Sequence, residues 1–320
     1  MLTTYPAPAR PEGSPAARAV SWIDLLDPTS EERASVESRY GLDLPSRQEL
    51  SEVESSSRVS ERNGVLFLSM PIVARAGALD EPPSPLGFVL SRNLLVTLRY
   101  TQLRSFDTVA AKLSADERPS TSVETFVALI EAMVDLSADL LEEIGATLDA
   151  ISRAAFPRVR EDRRHRMRSN EALRDVLIDV GSVGARASRI RDVVLGLQLI
   201  VPFVSGLERD WISREIQDRL RTAQADLLSL ADYETHLSDR VQFLLDAVLG
   251  LISTKQNDIF QVLTVVSVVG IPPTLVASIY GMNFRNMPEL TWAWGYQWAL
   301  GLIVLSTLLP LLWFKRRGWF

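Results

Sequence analysis

The chain has 320 residues, of which 34 are basic and 40 acidic, for a formal net charge of -6; no basic excess points to nucleic acid. Cysteine is absent, which excludes disulfides, thiolate metal sites and cysteine nucleophiles, and fits a bulk that faces the cytoplasm. The two histidines, His165 and His236, lie in charged helical stretches and read as solvated, which leaves no histidine zinc centre. With no nucleophile–base set, metal-ligand cluster or Walker sequence, the pattern is not that of an enzyme.

Residues 1–18 are rich in proline and alanine, lack the apolar core of a signal peptide, and read as a disordered lead-in. Residues 19–120 read as a small α/β unit. Trp22-Ile23-Asp24-Leu25 sits in a strand, and Pro28-Thr29-Ser30-Glu31-Glu32 opens a helix with a capping residue and early acids. Val65–Met70, Gly87–Leu90 and Leu94–Leu98 are short apolar strands, and the run Asp80-Glu81-Pro82-Pro83-Ser84-Pro85 predicts a loop. Over residues 121–203 the apolar spacing becomes helical, with a break at Phe156-Pro157, which predicts a long antiparallel helical hairpin. Residues 204–258 predict a stalk helix. With no strong break before Pro272, it runs on into a first transmembrane helix over residues 259–280. An uncharged stretch from Ile259 to Ile279 is long enough to cross a hydrocarbon core of roughly 30 Å. A short loop over 281–289 leads to a second span over 290–314, followed by a basic tail, 315–320. Lys315-Arg316-Arg317 beside that span is a cytoplasmic signal, so both termini and the large first domain are expected inside the cell.

One face of the long helix carries the functional expectation. Asp246, Gly250, Ser253, Asn257, Phe260, Thr264, Ser267, Ile271, Thr274, Ser278 and Gly281 recur at steps of three and four, which aligns them. All but two are small or polar. A lone span would expose this stripe to lipid at a cost. Two readings remain open on spacing alone: a small-residue packing face between helices, or the lining of a water-filled pore made by several copies.

Beyond the span stand Tyr280-Gly281-Met282-Asn283-Phe284, then Met287-Pro288-Glu289-Leu290 and Trp294-Gly295-Tyr296. Gly281 by itself reads as a helix cap with positive φ. Together with Pro272-Pro273 and Phe314-Lys315-Arg316-Arg317, this stretch resembles the CorA magnesium transporter family, near its enterobacterial branch, whose defining motif is Gly-Met-Asn. Trp22-Ile23-Asp24-Leu25 and the acidic Glu49–Glu54 segment extend the resemblance more weakly to the first domain.

The resemblance implies an α+β membrane protein that assembles as a homopentameric funnel in the plasma membrane, with the stalk helices lining the pore. It implies a selectivity filter at Gly281, Met282 and Asn283, pore-lining or gating positions at Asp246, Asn257, Phe260, Leu263, Ile271 and Thr274, and cation attraction by Glu289 on the outer loop. Periodicity selects Thr264 for the stripe where the resemblance selects its neighbour Leu263. Gly270 and Ile271 stand where relatives carry bulkier or different apolar residues. Regulatory metal ligands are expected at Glu52 and, on the stalk, Asp218 or Asp226. The transported and regulatory ligand is Mg2+, with Co2+ or Ni2+ as further cargo and no organic cofactor. The alternatives are a transporter of the same fold for Zn2+ or another divalent cation, and a two-span sensor or adaptor.

Overall fold

The computed structural model describes residues 1–6, 20–52, 54–73, 83–115, 121–156, 170–282, 287–288 and 291–319. Its contacts divide the chain into two units, Met1–Leu245 and Asp246–Phe320.

The first unit is built on a six-stranded sheet. Its strands are β1 (Leu2–Pro6), β2 (Val20–Leu26), β3 (Val59–Arg62), β4 (Val65–Ile72), β5 (Ser84–Leu90) and β6 (Leu95–Arg99), in the order β1-β2-β6-β5-β4-β3. Only β2 and β6 pair in parallel, with Trp22 opposite Leu95. Helices α1 (Ser30–Tyr40), α2 (Arg47–Leu50) and α3 (Ser55–Arg58) lie between β2 and β3. After the sheet come α4 (Arg104–Ala115), α5 (Ser122–Ala155), α6 (Asn170–Ser205) and the start of α7 (Arg214–Tyr280). The second unit holds the rest of α7 and α8 (Gly295–Arg316).

Local chemistry sets several of these boundaries. Thr29 caps α1 in a capping box: its hydroxyl accepts from the Glu32 N–H at 3.2 Å, and the Glu32 carboxylate accepts from the Thr29 N–H at 3.0 Å. The helix ends at Gly41, whose φ of 64° is a left-handed conformation that glycine adopts at little cost. Ser213 caps α7, its hydroxyl accepting from the Ile216 N–H, so the stalk helix begins ten residues later than the 204 expected. Residues 1–6 are not a disordered lead-in. They form edge strand β1, with Tyr5 opposite Trp22 and the two rings stacked at 4.2 Å. Residues 7–19 lie outside the described residues. In the expected loop at Asp80–Pro85, Ser84 and Pro85 instead extend β5 against Ile72 and Pro71. Pro85 is tolerated because pairing with β6 begins only at Leu86, so its missing N–H removes no bond on that side. The second span starts at Gly295 rather than 290 and continues to Arg316.

Both sheet faces are covered. On one, Ile23, Leu25, Val89, Val96 and Leu98 pack with Val36, Leu44 and Leu50 from the α1–α2 layer. On the other, Phe88 meets Phe126 of α5 edge to face at 5.3 Å, and Trp22 meets Phe106 of α4 at 6.1 Å. Helix α6 approaches β4 through Gly196, where a Cβ would stand 2.8 Å from that of Met70. This face also buries an ion pair. Arg99 donates to Asp24 from Nη2 at 2.8 Å and from Nε at 3.1 Å; Thr97 donates to Asp24 at 2.7 Å, and the Trp22 indole N–H donates to Thr97 at 3.0 Å.

The second unit is different in kind. Phe260 and Ile271 are 65% and 63% exposed, and neighbouring apolar side chains are similarly uncovered. A water-soluble surface does not sustain such a continuous apolar belt. Two of the described helices, α7 and α8, are long and apolar enough to cross a membrane.

Candidate ion pathway and regulatory acids

On α7 beyond Asp258 the half-buried positions are Gln261, Val265, Ser267, Val269, Pro272, Pro273, Val276 and Tyr280. All but Ser267 recur at helical spacing on the side opposite the polar stripe. Within the second unit Gln261 donates to the Trp319 carbonyl at 3.2 Å, and Phe314, 2% exposed, meets Trp313 edge to face at 5.1 Å and the tilted Trp319 ring at 4.9 Å. The stripe is left uncovered. Asp246, Gly250, Ser253, Asn257, Phe260, Thr264, Ile271, Thr274 and Ser278 are exposed, and only Ser267 is half-buried. Leu263 is 59% exposed beside Thr264.

The threonine hydroxyls of the helix are already committed as donors. Thr264 donates to the Phe260 carbonyl at 2.7 Å and Thr274 to that of Gly270 at 2.8 Å; below them Thr254 donates to Gly250 at 2.9 Å. A hydroxyl whose hydrogen is spent in this way presents only oxygen lone pairs outward. At Thr264 and Thr274 the stripe therefore offers acceptors, which suits a cation or the waters around one. Periodicity alone does not reveal this, because the bond depends on the side-chain rotamer.

Pro272 and Pro273 lie inside α7. Neither has an N–H, so Val268 and Val269 lose their usual helical donors. The helix nonetheless continues to Tyr280. The Gly281 N–H then reaches the Ala277 carbonyl at 3.0 Å, and Met282 N–H reaches Ile279 at 3.2 Å. Gly281 is not among the residues with positive φ, which corrects the expected left-handed cap. Its constraint is proximity instead: a Cβ would sit 3.2 Å from the Ala277 oxygen. Met282 is 45% exposed. Asn283 and Glu289 lie outside the described residues.

In the first unit Glu52, Asp218 and Asp226 are all exposed. Asp218 accepts from Arg221 at 3.0 Å, with both side chains about 70% exposed. Within one chain these acids do not converge: no group of three or more His, Asp or Glu able to hold a metal occurs among the described residues.

These features define a membrane protein with two spanning helices, an α/β unit ahead of them, and a polar stripe along the first span. The family described as CorA-like Mg2+ transporter protein matches residues 17–316. The magnesium transport protein CorA of Escherichia coli K12 is 32% identical over 309 residues, which cover 96% of this chain and 94% of that protein. The protein of the same name from Campylobacter jejuni RM1221 is 30% identical over 312 residues, covering 94% and 91%. The complete structure of the CorA magnesium transporter from Methanocaldococcus jannaschii shares the fold with a TM-score of 0.73 at 18% identity, over 99% of this chain and 98% of that one. The chain belongs to the CorA family of Mg2+ transporters, membrane proteins that move ions and are not enzymes.

Proposed function

We propose that five copies of the chain form a passive, potential-driven pathway that imports Mg2+, with the α7 stripe lining it. The observation that carries this reading is the uncovered stripe on α7 and its acceptor-only threonines. Turned toward lipid, it would be costly; turned toward its counterparts in other copies, it encloses a polar column. Mg2+ gives up its waters reluctantly. A ring of Asn283 carboxamides supplies neutral acceptors that bind those waters without stripping them, so the ion can leave again. Gly281 and Met282 carry the ring, and Glu289 concentrates cations outside it by its field. Phe260, Leu263 and Ile271 form apolar constrictions that close by dewetting. Asn257 and Thr274 line the polar intervals, and Asp246 receives the ion at the inner end. A divalent ion gains about 4.6 kcal/mol per 100 mV from an inside-negative potential, so no nucleotide hydrolysis is needed. The Lys315-Arg316-Arg317 cluster supports a cytoplasmic C-terminus, and two spans return the N-terminus to the same side. Co2+ and Ni2+, which also hold a shell of waters, are further cargo.

Internal Mg2+ closes the pathway by bridging Glu52 of one subunit to Asp218 or Asp226 of its neighbour. The acids repel when empty, and the bound ion favours the symmetric closed state.

The test is ion flux into liposomes holding the purified protein under an inside-negative potential, comparing Mg2+, Co2+, Ni2+ and Zn2+. Mg2+ uptake that follows the potential is the expected result. Zn2+ uptake with none of Mg2+ would reassign the cargo, and no flux of any divalent ion would overturn the reading.

A further inference from the structure

A cleft of about 340 Å3 opens in the α/β unit, lined by residues of α2, α3, β3, β4 and their connections. That volume is at the lower end of small-molecule pockets, roughly 300–1,000 Å3. At its base stands Ser69 of β4, 3% exposed, whose Oγ has no hydrogen-bond partner among the described residues. Its position is fixed by the sheet. Ser69 pairs with Gly87, and the Leu50 side chain fills the space a Cβ at Gly87 would need, 2.6 Å away. The hydroxyl itself is closed off beneath the cleft, so what the cleft offers a ligand is the charged surface above it.

Two arginines line the same cleft. Arg58 is tethered by its Nε, which donates to the Glu52 carbonyl at 3.1 Å. The Arg62 guanidinium rests on the Phe67 ring at 5.4 Å. Neither forms an ion pair among the described residues, whereas Arg99, Arg219 and Arg240 each hold a carboxylate. Asp43, Glu49 and Glu52 also line the cleft, and Glu49 is already committed to the Ser46 N–H at 2.6 Å. A simple anion would meet two free carboxylates, and a bare cation would meet two guanidiniums. The ligand that fits carries both signs.

Mg2+ is commonly held by one or two carboxylates together with phosphate oxygens, keeping several waters. Guanidinium groups match phosphate geometry. We propose that this cleft binds a phosphorylated small metabolite of nucleoside diphosphate size as its Mg2+ complex. Arg58 and Arg62 take the phosphate oxygens, Ser60 donates to them, and Asp43 and Glu52 accept from the waters on the metal. The site shares Glu52 with the proposed regulatory bridge, but it lies within one chain and does not depend on whether the α7 stripe conducts.

The experiment is calorimetric titration of the full-length protein in detergent with MgADP, magnesium pyrophosphate, ADP in chelator, Mg2+ alone and glycine, with the melting temperature followed in parallel. MgADP should bind once per chain and raise the melting temperature, and chelator should weaken it on the order of tenfold. Tighter binding of MgADP than of pyrophosphate assigns the site to a nucleotide; equal binding assigns it to the diphosphate group. Arg58→Ala with Arg62→Ala should lower affinity on the order of tenfold or more with the unliganded melting temperature unchanged. Ser60→Ala should weaken binding less, and Glu52→Gln should remove the difference between metal-loaded and metal-free ADP. Absence of binding by either phosphate probe, unchanged binding in the double arginine variant, or binding of glycine in preference to both would overturn the proposal. Flux into liposomes is a separate readout, so this inference and the transport reading fail independently.

Discussion

Asp24 and Arg99 face each other across the parallel strands β2 and β6, their Nη2 and Oδ2 atoms 2.8 Å apart and both side chains less than 10% exposed. Thr97 and the Trp22 indole complete the network. Removing one partner leaves the other charge buried. Asp24→Asn or Arg99→Met should each destabilise the first unit by about 3–5 kcal/mol, whereas Asp24→Leu combined with Arg99→Met should cost far less than the sum. Denaturant unfolding of the three variants checks this; harmless single substitutions would show that the pair contributes little.

Asn283→Ala removes the proposed carboxamide ring and leaves α7, which ends at Tyr280, intact. Mg2+ uptake by cells or liposomes should collapse while the assembly runs at unchanged size in gel filtration. Wild-type flux in an assembled variant would remove Asn283 from the filter. Gly281→Ala should impair uptake less, because its added Cβ meets only the Ala277 oxygen at 3.2 Å and no positive φ is at stake.

Orientation is open to chemical labelling, since the chain has no native cysteine. A cysteine in place of Asn286 should react with an impermeant maleimide from outside intact cells, and one placed after Arg317 should not. The opposite pattern would invert the topology.

The regulatory acids are tested by current recordings. Glu52→Gln with Asp226→Asn should conduct normally but require more internal Mg2+ to close, and likewise the pair Glu52→Gln with Asp218→Asn. An inhibition curve unchanged in both would free these residues of the role and leave the pore assignment intact.

Acid sensitivity follows from the capping box at α2. The Ser46 N–H and hydroxyl hold the Glu49 carboxyl below its ordinary pKa. A depressed folded-state pKa contributes stability above the unfolded-state value, and that contribution disappears as pH falls through the folded value. The melting-temperature gap between wild type and Glu49→Gln should therefore be widest at about pH 7 and close toward about pH 3. A gap that persists at acid pH would mean that packing, not charge, sets it.

The exposed stripe on α7 is legible in the sequence because it depends on one period. The stripe from Asp246 to Gly281 is a list of residues three and four apart, and helical geometry alone collects them. The capping box at Thr29 is equally local. Edge strand β1 is not legible in this way: Leu2–Pro6 has no alternating apolar pattern, and what holds it is backbone pairing and the stack of Tyr5 on Trp22, a ring 17 positions away. The cleft at Ser69 escapes for a related reason. Glu52 stands out as an acid, but Arg58, Arg62 and Ser69 become one surface only when α3, β3 and β4 fold together. Gly281 shows the opposite error, a familiar cap residue used here without the left-handed turn.

The parallel pairing of β2 with β6 also fixes an order of events during synthesis. Strands β3, β4 and β5 each pair with the strand that follows, so this part of the sheet can assemble as it leaves the ribosome. Strand β2 can pair at once with β1 on one edge only; its other edge waits for β6. Its partner register, Trp22 opposite Leu95, lies roughly 70 residues downstream, a wait of roughly 4–15 seconds at 5–20 residues per second. Throughout that interval β2 has β1 on one edge, but its β6 edge and the half of the buried charge network contributed by Asp24 have nothing to dock against. The β6-facing edge of β2 is thus a sheet edge of this membrane protein that a ribosome-associated chaperone would meet open, well before either spanning helix has been translated.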